Sequence, residues 1–349
     1  MENHETHEAH ESPLAPELQS PNPPIPQSPS STRAALIAIV GRANVGKSSL
    51  INAILEEKVS IVSPVAQTTR NVVRGILTEP RGQLVFLDTP GVHKAASDLG
   101  KMMNQMARGS VEGCDAVLFV LDASQPPRDE DRGWMTRLQR EALPIVIVLN
   151  KSDAGPGYAA QHRALWDEVA NRVLDAVPGA AATPDAPPAS APVRRAVNAP
   201  IWMETSALTG AGIQAVVTRL FELAPVGPYL FPADVLSDYP RKLAIADVIR
   251  EKLYESLHDE LPHSVAVWVE KFEDTDPVWK VSAVIYVNKS SQKGIVIGTK
   301  GRILRKVKRS SEGELETNYG RPVQVELWVK IEKDWNKNFW LLKKFGYAN

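Results

Sequence analysis

Lys47 and Ser48 end an eight-residue run, Gly41-Arg42-Ala43-Asn44-Val45-Gly46-Lys47-Ser48, that satisfies the pattern G-x-x-x-x-G-K-[ST] at every fixed position. Such a loop turns backbone N–H groups inward around an anion, at a helix N-terminus whose dipole also favours negative charge. The lysine would reach the β- and γ-phosphates, and the serine hydroxyl would ligate Mg²⁺. Candidate phosphate contacts are Gly41, Asn44, Val45, Gly46, Lys47, Ser48 and Ser49. Further along, Asp88-Thr89-Pro90-Gly91 offers the other half of such a site. Asp88 can hold Mg²⁺ through a water, and the Gly91 N–H can approach a γ-phosphate with no side chain in the way. Between the two lies Gln67-Thr68-Thr69-Arg70. One threonine of this pair, with Thr69 as the candidate, would close over the γ-phosphate and complete the metal shell. Asn150-Lys151-Ser152-Asp153 would choose the base. A carboxylate at Asp153 accepts two hydrogen bonds from N1–H and the exocyclic amine of guanine, donors that adenine does not present together. Thr205-Ser206-Ala207 places Ser206 nearby and an Ala207 N–H suited to guanine O6.

These groups meet only if the fold brings them to one edge. Leu36 to Val40 reads as a short buried strand, and Ser49 to Leu55 as the opening of a helix. Val72 to Thr78 suits an edge strand. Leu84 to Leu87 runs into Asp88, at the carboxyl end of a strand, where open α/β sheets bind ligands. Ala116 to Asp122 and Ile145 to Leu149 are continuous apolar runs, as a parallel sheet covered on both faces requires. Ile201 to Glu204 is the last strand, and Gly212 to Leu223 closes the unit as a helix. Residues 154–200 break the pattern. Trp166 to Val177 has the spacing of one amphipathic helix, Pro178 to Ala199 is Ala/Pro-rich without periodicity, and the whole reads as a flexible surface insertion.

A chain of 349 residues has room for two cores. With a formal net charge of -1, any attraction to a polyanion must be local. The single cysteine, Cys114, forbids an intramolecular disulfide and points to a reducing cytosol. No apolar run approaches the ~18 residues of a membrane-spanning helix. Residues 1–33, rich in Pro, Ser, Glu and His, lack the apolar stretch of a secretion signal and read as a disordered tail.

Taken in order, G-R-A-N-V-G-K-S-S-L, Q-T-T-R, D-T-P-G, N-K-S-D and T-S-A resemble the translation-factor-like P-loop GTPases, and the Era GTPase family in particular. The likeness covers nearly everything from residue 34 to 349, apart from the insertion. Ala43 departs from it, standing where the family usually has proline. The resemblance implies a GTP-binding, GTP-hydrolysing domain, with Lys47, Thr69, Gly91 and Asn44 in the catalytic roles and Ser48, Thr69 and Asp88 on the metal. Many switch GTPases follow D-x-x-G with a glutamine that orients the attacking water. Here that position is Val92, whose side chain forms no hydrogen bond, so slow intrinsic hydrolysis is expected. Asn44 occupies the place where potassium-stimulated relatives carry asparagine, which makes K⁺ the expected source of the missing positive charge. Arg42, or an arginine from a partner, stands in reserve.

Pro225 to Pro240 reads as a linker. Beyond it come a helix from Arg241 to Leu257 and strands at Val265 to Val269 and Val281 to Val287. Gly298-Thr299-Lys300-Gly301, a basic helix from Arg302 and a strand at Val323 to Val329 follow. The order resembles a type II KH domain. From Lys289 to Arg309 there are eight Lys or Arg residues and no acid, the footprint expected for a polyanion. Lys293, Gly298, Thr299, Lys300, Gly301, Arg302 and Arg305 are the candidate RNA contacts, beside an apolar groove at Ile295, Ile297 and Ile303. The expected architecture is an α/β P-loop GTPase domain (34–225), its mostly parallel sheet covered by helices on both faces, a linker (226–240), and a smaller α+β KH domain (241–349). By resemblance, the partner is the 3′ region of small-subunit ribosomal RNA, met during assembly of a 30S-type subunit. The resemblance also implies peripheral membrane association, and a monomer is expected. A GTP-gated RNA clamp with incidental hydrolysis is the alternative; a nucleotide kinase or ATPase conflicts with Asn150 and Asp153.

Overall fold

The computed structural model describes residues 32–63, 68–92, 98–155, 157–175, 199–257, 261 and 264–347. The expectations for residues 1–31, for the Ala/Pro-rich stretch and for Gln67 fall outside them. The first unit alternates strands and helices: β1 Arg33–Val40, α1 Lys47–Leu55, β2 Val73–Glu79, β3 Gly82–Asp88, α2 Asp98–Gly109, β4 Ala116–Asp122, α3 Asp129–Leu138, β5 Ile145–Asn150, α4 Ala159–Asp175, β6 Ile201–Glu204 and α5 Ile213–Leu223. The strands form one sheet in the order β2-β3-β1-β4-β5-β6. Only β2, at the edge, runs antiparallel to its neighbour. β4 and β5 are buried at every position, which explains their unbroken apolar runs. Helices α1 and α5 cover one face through Leu50, Ile51, Val216 and Leu220. Helices α2, α3 and α4 cover the other through Ala107, Trp134, Met135 and Trp166. Register then aligns the strand ends: Asp88 lies beside Ile39, and Asp122 beside Asn150.

Helix α4 corrects the reading of 154–200 as a surface insertion over residues 159–175, and contains the start of the helix expected from Trp166. It begins at Ala159, and Leu165, Trp166 and Val169 are buried against the sheet. Its inner face also holds His162, fully buried, with Nε2 3.2 Å from the Asp122 carbonyl and 3.1 Å from that of Gln125. A histidine in the first buried position hides the helical period from a hydrophobicity-based reading.

The second unit comprises α6 Arg241–Ser256, β7 Val265–Glu273, β8 Trp279–Val287, α7 Ser290–Ile297, α8 Arg302–Tyr319, β9 Val323–Ile331 and a short α9 Phe339–Lys344. β7 and β8 pair antiparallel, β8 and β9 parallel. Ile249, Leu253, Val307 and Leu315, from α6 and α8, close one face of this sheet. The opposite face meets Trp335, Leu342, Phe345 and Tyr347, which pack together with Leu99 and Met103 of α2. A shared apolar cluster thus joins the two units, a contact that the motifs and apolar periods of the sequence do not announce.

Candidate nucleotide site and nucleic-acid interface

The phosphate loop fills the gap between β1 and α1, and α1 starts at Lys47, two residues before the sequence reading placed it. Lys47 is buried, and its Nζ donates to the carbonyls of Gly41 at 3.2 Å and Arg42 at 2.9 Å. Burial pulls its pKa down to about 8, opposed by the Asp88 carboxylate. A phosphate drawn in beside it would favour the ammonium form further. Gly91 presses on the loop from the far side. A Cβ there would fall 2.6 Å from Ala43 Cα and 3.0 Å from Lys47 Nζ, so only glycine fits. The next amide, Val92 N–H, donates to the Gly41 carbonyl at 3.4 Å.

Three oxygens converge beside Lys47. Ser48 Oγ donates to Asp88 Oδ2 at 2.7 Å and lies 2.9 Å from Thr69 Oγ1. Thr69, then, is the threonine brought to this point; the hydroxyl of Thr68 reaches the Ser63 carbonyl at 3.5 Å instead. Asp88 is fully buried, and its Oδ1 has no hydrogen-bond partner among the described residues. Burial raises its pKa against the opposing pull of Lys47 and Ser48. Two hydroxyls and an under-satisfied carboxylate, all hard oxygen donors, suit Mg²⁺. In the same D-T-P-G run, the Thr89 hydroxyl donates to the Ile39 carbonyl at 2.7 Å, and both Thr89 and Pro90 are buried. Their side chains fasten the end of β3. Val45 is likewise buried in the core, leaving only its backbone for a ligand. Arg42 is withdrawn from the reserve for the missing charge. It is buried, with Nε donating to Asp131 Oδ2 at 3.3 Å and Nη2 3.7 Å from Asp122.

The candidate base-reading residues are braced from behind. Asn150 Nδ2 donates to the Val45 carbonyl at 2.9 Å, tying the end of β5 to the phosphate loop. Lys151 Nζ donates to the Asn44 carbonyl at 2.7 Å and to Asp122 at 2.8 Å. Burial works against the charge on Asp122, but hydrogen bonds from Lys151 and Ser124 pull its pKa below the ordinary value. Asp153 sits exposed on a single 3-10 turn, Ser152–Ala154. The Ala207 N–H differs from expectation: it donates to Asn150 Oδ1 at 3.1 Å, so guanine O6 would have to compete for it. Ser206 Oγ accepts from Thr209 N–H at 3.1 Å and shapes the same turn. Asn44 holds a left-handed φ of 64°. With Ser49, it borders a cavity of about 590 Å³ that also touches Gly46, Asp122 and Lys151.

What the sequence reading missed is how Thr69 is held. Arg70 is fully buried, and its Nη1 donates to the Val265 carbonyl of the second unit at 2.9 Å. Arg250 Nη2, from α6, donates to the Thr68 carbonyl at 2.9 Å. Asn71 donates to Tyr239 Oη at 2.8 Å. The motif Q-T-T-R assigns Arg70 no role of its own, and an apolar-periodicity count passes over a buried arginine such as Arg250.

On the second unit, Gly298 to Gly301 forms one tight turn between α7 and α8. Gly298 has φ 72° and ψ 171°, and a Cβ there would lie 2.7 Å from Ile303 Cγ1. Thr299, Lys300, Arg302 and Arg305 are exposed, and Lys293 is half-buried. Of the expected apolar groove, Ile295 is 52% exposed, whereas Ile303 packs partly into the core.

Two family models match the chain. One, described as a 50S ribosome-binding GTPase, covers residues 36–151, and the other, a KH domain, covers residues 260–336. The chain is 36% identical over 318 residues to the GTPase Era of Caldanaerobacter subterraneus, covering 90% of this chain and 98% of that protein. It is 38% identical over 316 residues to the GTPase Era of Geotalea uraniireducens, with the same coverages. Among solved structures, a single-substitution variant of Aquifex aeolicus Era bound to GDP·AlF4⁻ superposes with a TM-score of 0.77 at 33% identity, covering 91% of this chain and all of that one. Era in complex with MgGDPNP and nucleotides 1506–1542 of 16S ribosomal RNA superposes at 0.78, also with 33% identity and the same coverages.

Proposed function

The chain belongs to the Era family of GTPases, and from that premise we propose that it is a GTP-controlled switch acting on the 3′ region of small-subunit ribosomal RNA during assembly of that subunit. The observation that carries this reading is the cluster of Ser48, Thr69 and Asp88 oxygens beside Lys47, on a chain that also presents an exposed basic GxxG turn. The GTPase domain spans 34–225, the linker 226–240 and the KH domain 241–349. Ser48, Thr69 and Asp88 would hold Mg²⁺, a Lewis acid that offsets charge on the transferring phosphoryl group. Gly41 to Ser49 cradles the phosphates, Gly91 N–H and Lys47 attend the γ-phosphate, and Asn150, Lys151, Asp153, Ser206 and Ala207 form the guanine pocket. Val92 leaves intrinsic hydrolysis slow, and Asn44 lends an oxygen to K⁺. Lys293, Gly298, Thr299, Lys300, Gly301, Arg302 and Arg305 hold the RNA backbone, and Ile295 faces its bases.

The relative bound to 16S ribosomal RNA nucleotides supports this choice of RNA. No described helix is long and apolar enough to cross a membrane. We place the protein in the cytoplasm as a monomer that meets the 30S-type subunit, with any membrane association peripheral. Crosslinking the protein to RNA in cells and sequencing the crosslinked fragments tests the assignment. Reads should gather at the 3′ end of small-subunit ribosomal RNA; reads spread evenly over unrelated transcripts would overturn it.

A further inference from the structure

Residues 68 to 71 are gripped by the second unit and by the linker that leads into it. The Thr68 carbonyl accepts from Arg250 Nη2, Arg70 Nη1 donates to the Val265 carbonyl, and Asn71 donates to Tyr239. Thr69, between the first two anchors, turns the other way and sets its hydroxyl 2.9 Å from Ser48. Fixing the carbonyl of one residue fixes the peptide plane that carries the next Cα, because the backbone has only two soft torsions per residue.

The guanidinium that grips Thr68 is itself rigid. Arg250 is 1% exposed; its Nη1 lies 2.7 Å from Asp247 Oδ1 and donates to Tyr347 Oη at 3.1 Å. Asp247 in turn accepts from Tyr239 Oη at 3.1 Å, the same hydroxyl that Asn71 reaches. Arg70 lies 5.6 Å from the Tyr347 ring centre and 5.9 Å from those of Tyr254 and Trp335. The stretch leading into the loop is tied down as well, since Lys58 Nζ donates to Glu251 at 2.8 Å and also bonds Glu314 of α8.

We propose that Arg250 is a positioning residue for GTP hydrolysis: from the KH domain it holds the Thr68 carbonyl so that Thr69 presents its hydroxyl to the cation site. This rests on reading Ser48, Thr69 and Asp88 as that site. The consequence is reciprocal, because two sites that favour the same arrangement of one loop must stabilise each other. GTP with Mg²⁺, which needs Thr69 in place, draws on the Arg250 contact; GDP does not. Substitution of Arg250 must therefore separate the two nucleotides.

Fluorescent GDP and a non-hydrolysable fluorescent GTP analogue, titrated into the full chain over a range of Mg²⁺, provide the test. Arg250→Lys keeps a charge beside Asp247 but loses the planar fork that serves three partners. It should raise the analogue Kd about tenfold, the size of a lost charge-assisted hydrogen bond, while leaving the GDP Kd within about twofold. The Mg²⁺ concentration that half-saturates the analogue complex should rise by about the same factor. Equal weakening of both nucleotides, or no change in either, overturns the proposal. Should Arg250→Lys fail to fold, the pair Arg250→Gln with Asp247→Asn removes charge and counter-charge together and must show the same split. Thr69→Ala separates the two claims. If it leaves the Mg²⁺ dependence unchanged, the cation-site reading fails; if it shifts that dependence and Arg250→Lys does not, only the positioning role falls.

Discussion

The Thr68 to Asn71 loop and the Gly298 to Gly301 turn are both proposed to meet phosphate groups, yet they are held in opposite ways. The first is buried, and its partners lie far along the chain, Val265 and Arg250 in the other domain and Tyr239 in the linker that leads to it. The second is exposed and closed by its own neighbours, with Gly301 N–H donating to Gly298 and Gly298 N–H to Gly294. A loop that must sense one phosphate depends on the whole molecule. A loop that must admit any stretch of RNA backbone carries its shape in its glycines. Damage should spread from the nucleotide site and stay local at the RNA turn.

The largest effect expected from breaking one side of this comparison is at the base. Asp153→Asn replaces an acceptor with a donor where guanine also donates, and should weaken GTP about a thousandfold while admitting xanthosine nucleotides. Competition binding with GTP and XTP checks this, and unchanged GTP affinity would remove Asp153 from the base. On the other side, replacing Thr299 and Lys300 with aspartates should lower affinity for single-stranded RNA about a hundredfold at physiological salt. GTP affinity measured on the same sample should not move, since none of the candidate nucleotide-binding residues lies in that turn. A matching loss of GTP binding would erase the contrast.

A smaller effect sharpens the nucleotide side. Hydrolysis should run about tenfold faster in K⁺ than in Na⁺ at matched ionic strength, because a fixed cation offsets charge in the transition state. Asn44→Ala should abolish the difference, whereas equal wild-type rates in the two salts would exclude K⁺. With Arg42 committed to Asp131, an arginine from a partner would then be the remaining source of charge.

The same contrast explains what could be read in advance. The phosphate loop, Asp88 and the GxxG turn declare themselves because their geometry comes from adjacent residues, glycines above all, in a fixed order. The strands β4 and β5 are legible because burial on both faces forces unbroken apolar runs. Helix α4 is half-legible: Trp166 marks it, but buried His162 and the alanines of its first turn carry no apolar period. The choice of Thr69 over Thr68 is illegible, because the contact that sets the two apart, Arg250 Nη2 to the Thr68 carbonyl, comes from the other domain. The packing of Trp335, Phe345 and Tyr347 against α2 is illegible too, since aromatic residues in the last stretch of the sequence do not say which surface they cover.

In the proposed function, one chain couples the state of its nucleotide to its grip on RNA. Anisotropy of a labelled RNA matching the 3′ end of small-subunit ribosomal RNA, titrated with the full protein, tests it most directly. The titration is run with Mg²⁺ and a non-hydrolysable GTP analogue, with GDP, and without nucleotide. Tightest binding in the analogue form, with a weaker GDP form, is the predicted result. Identical RNA affinity in all three states would contradict the account.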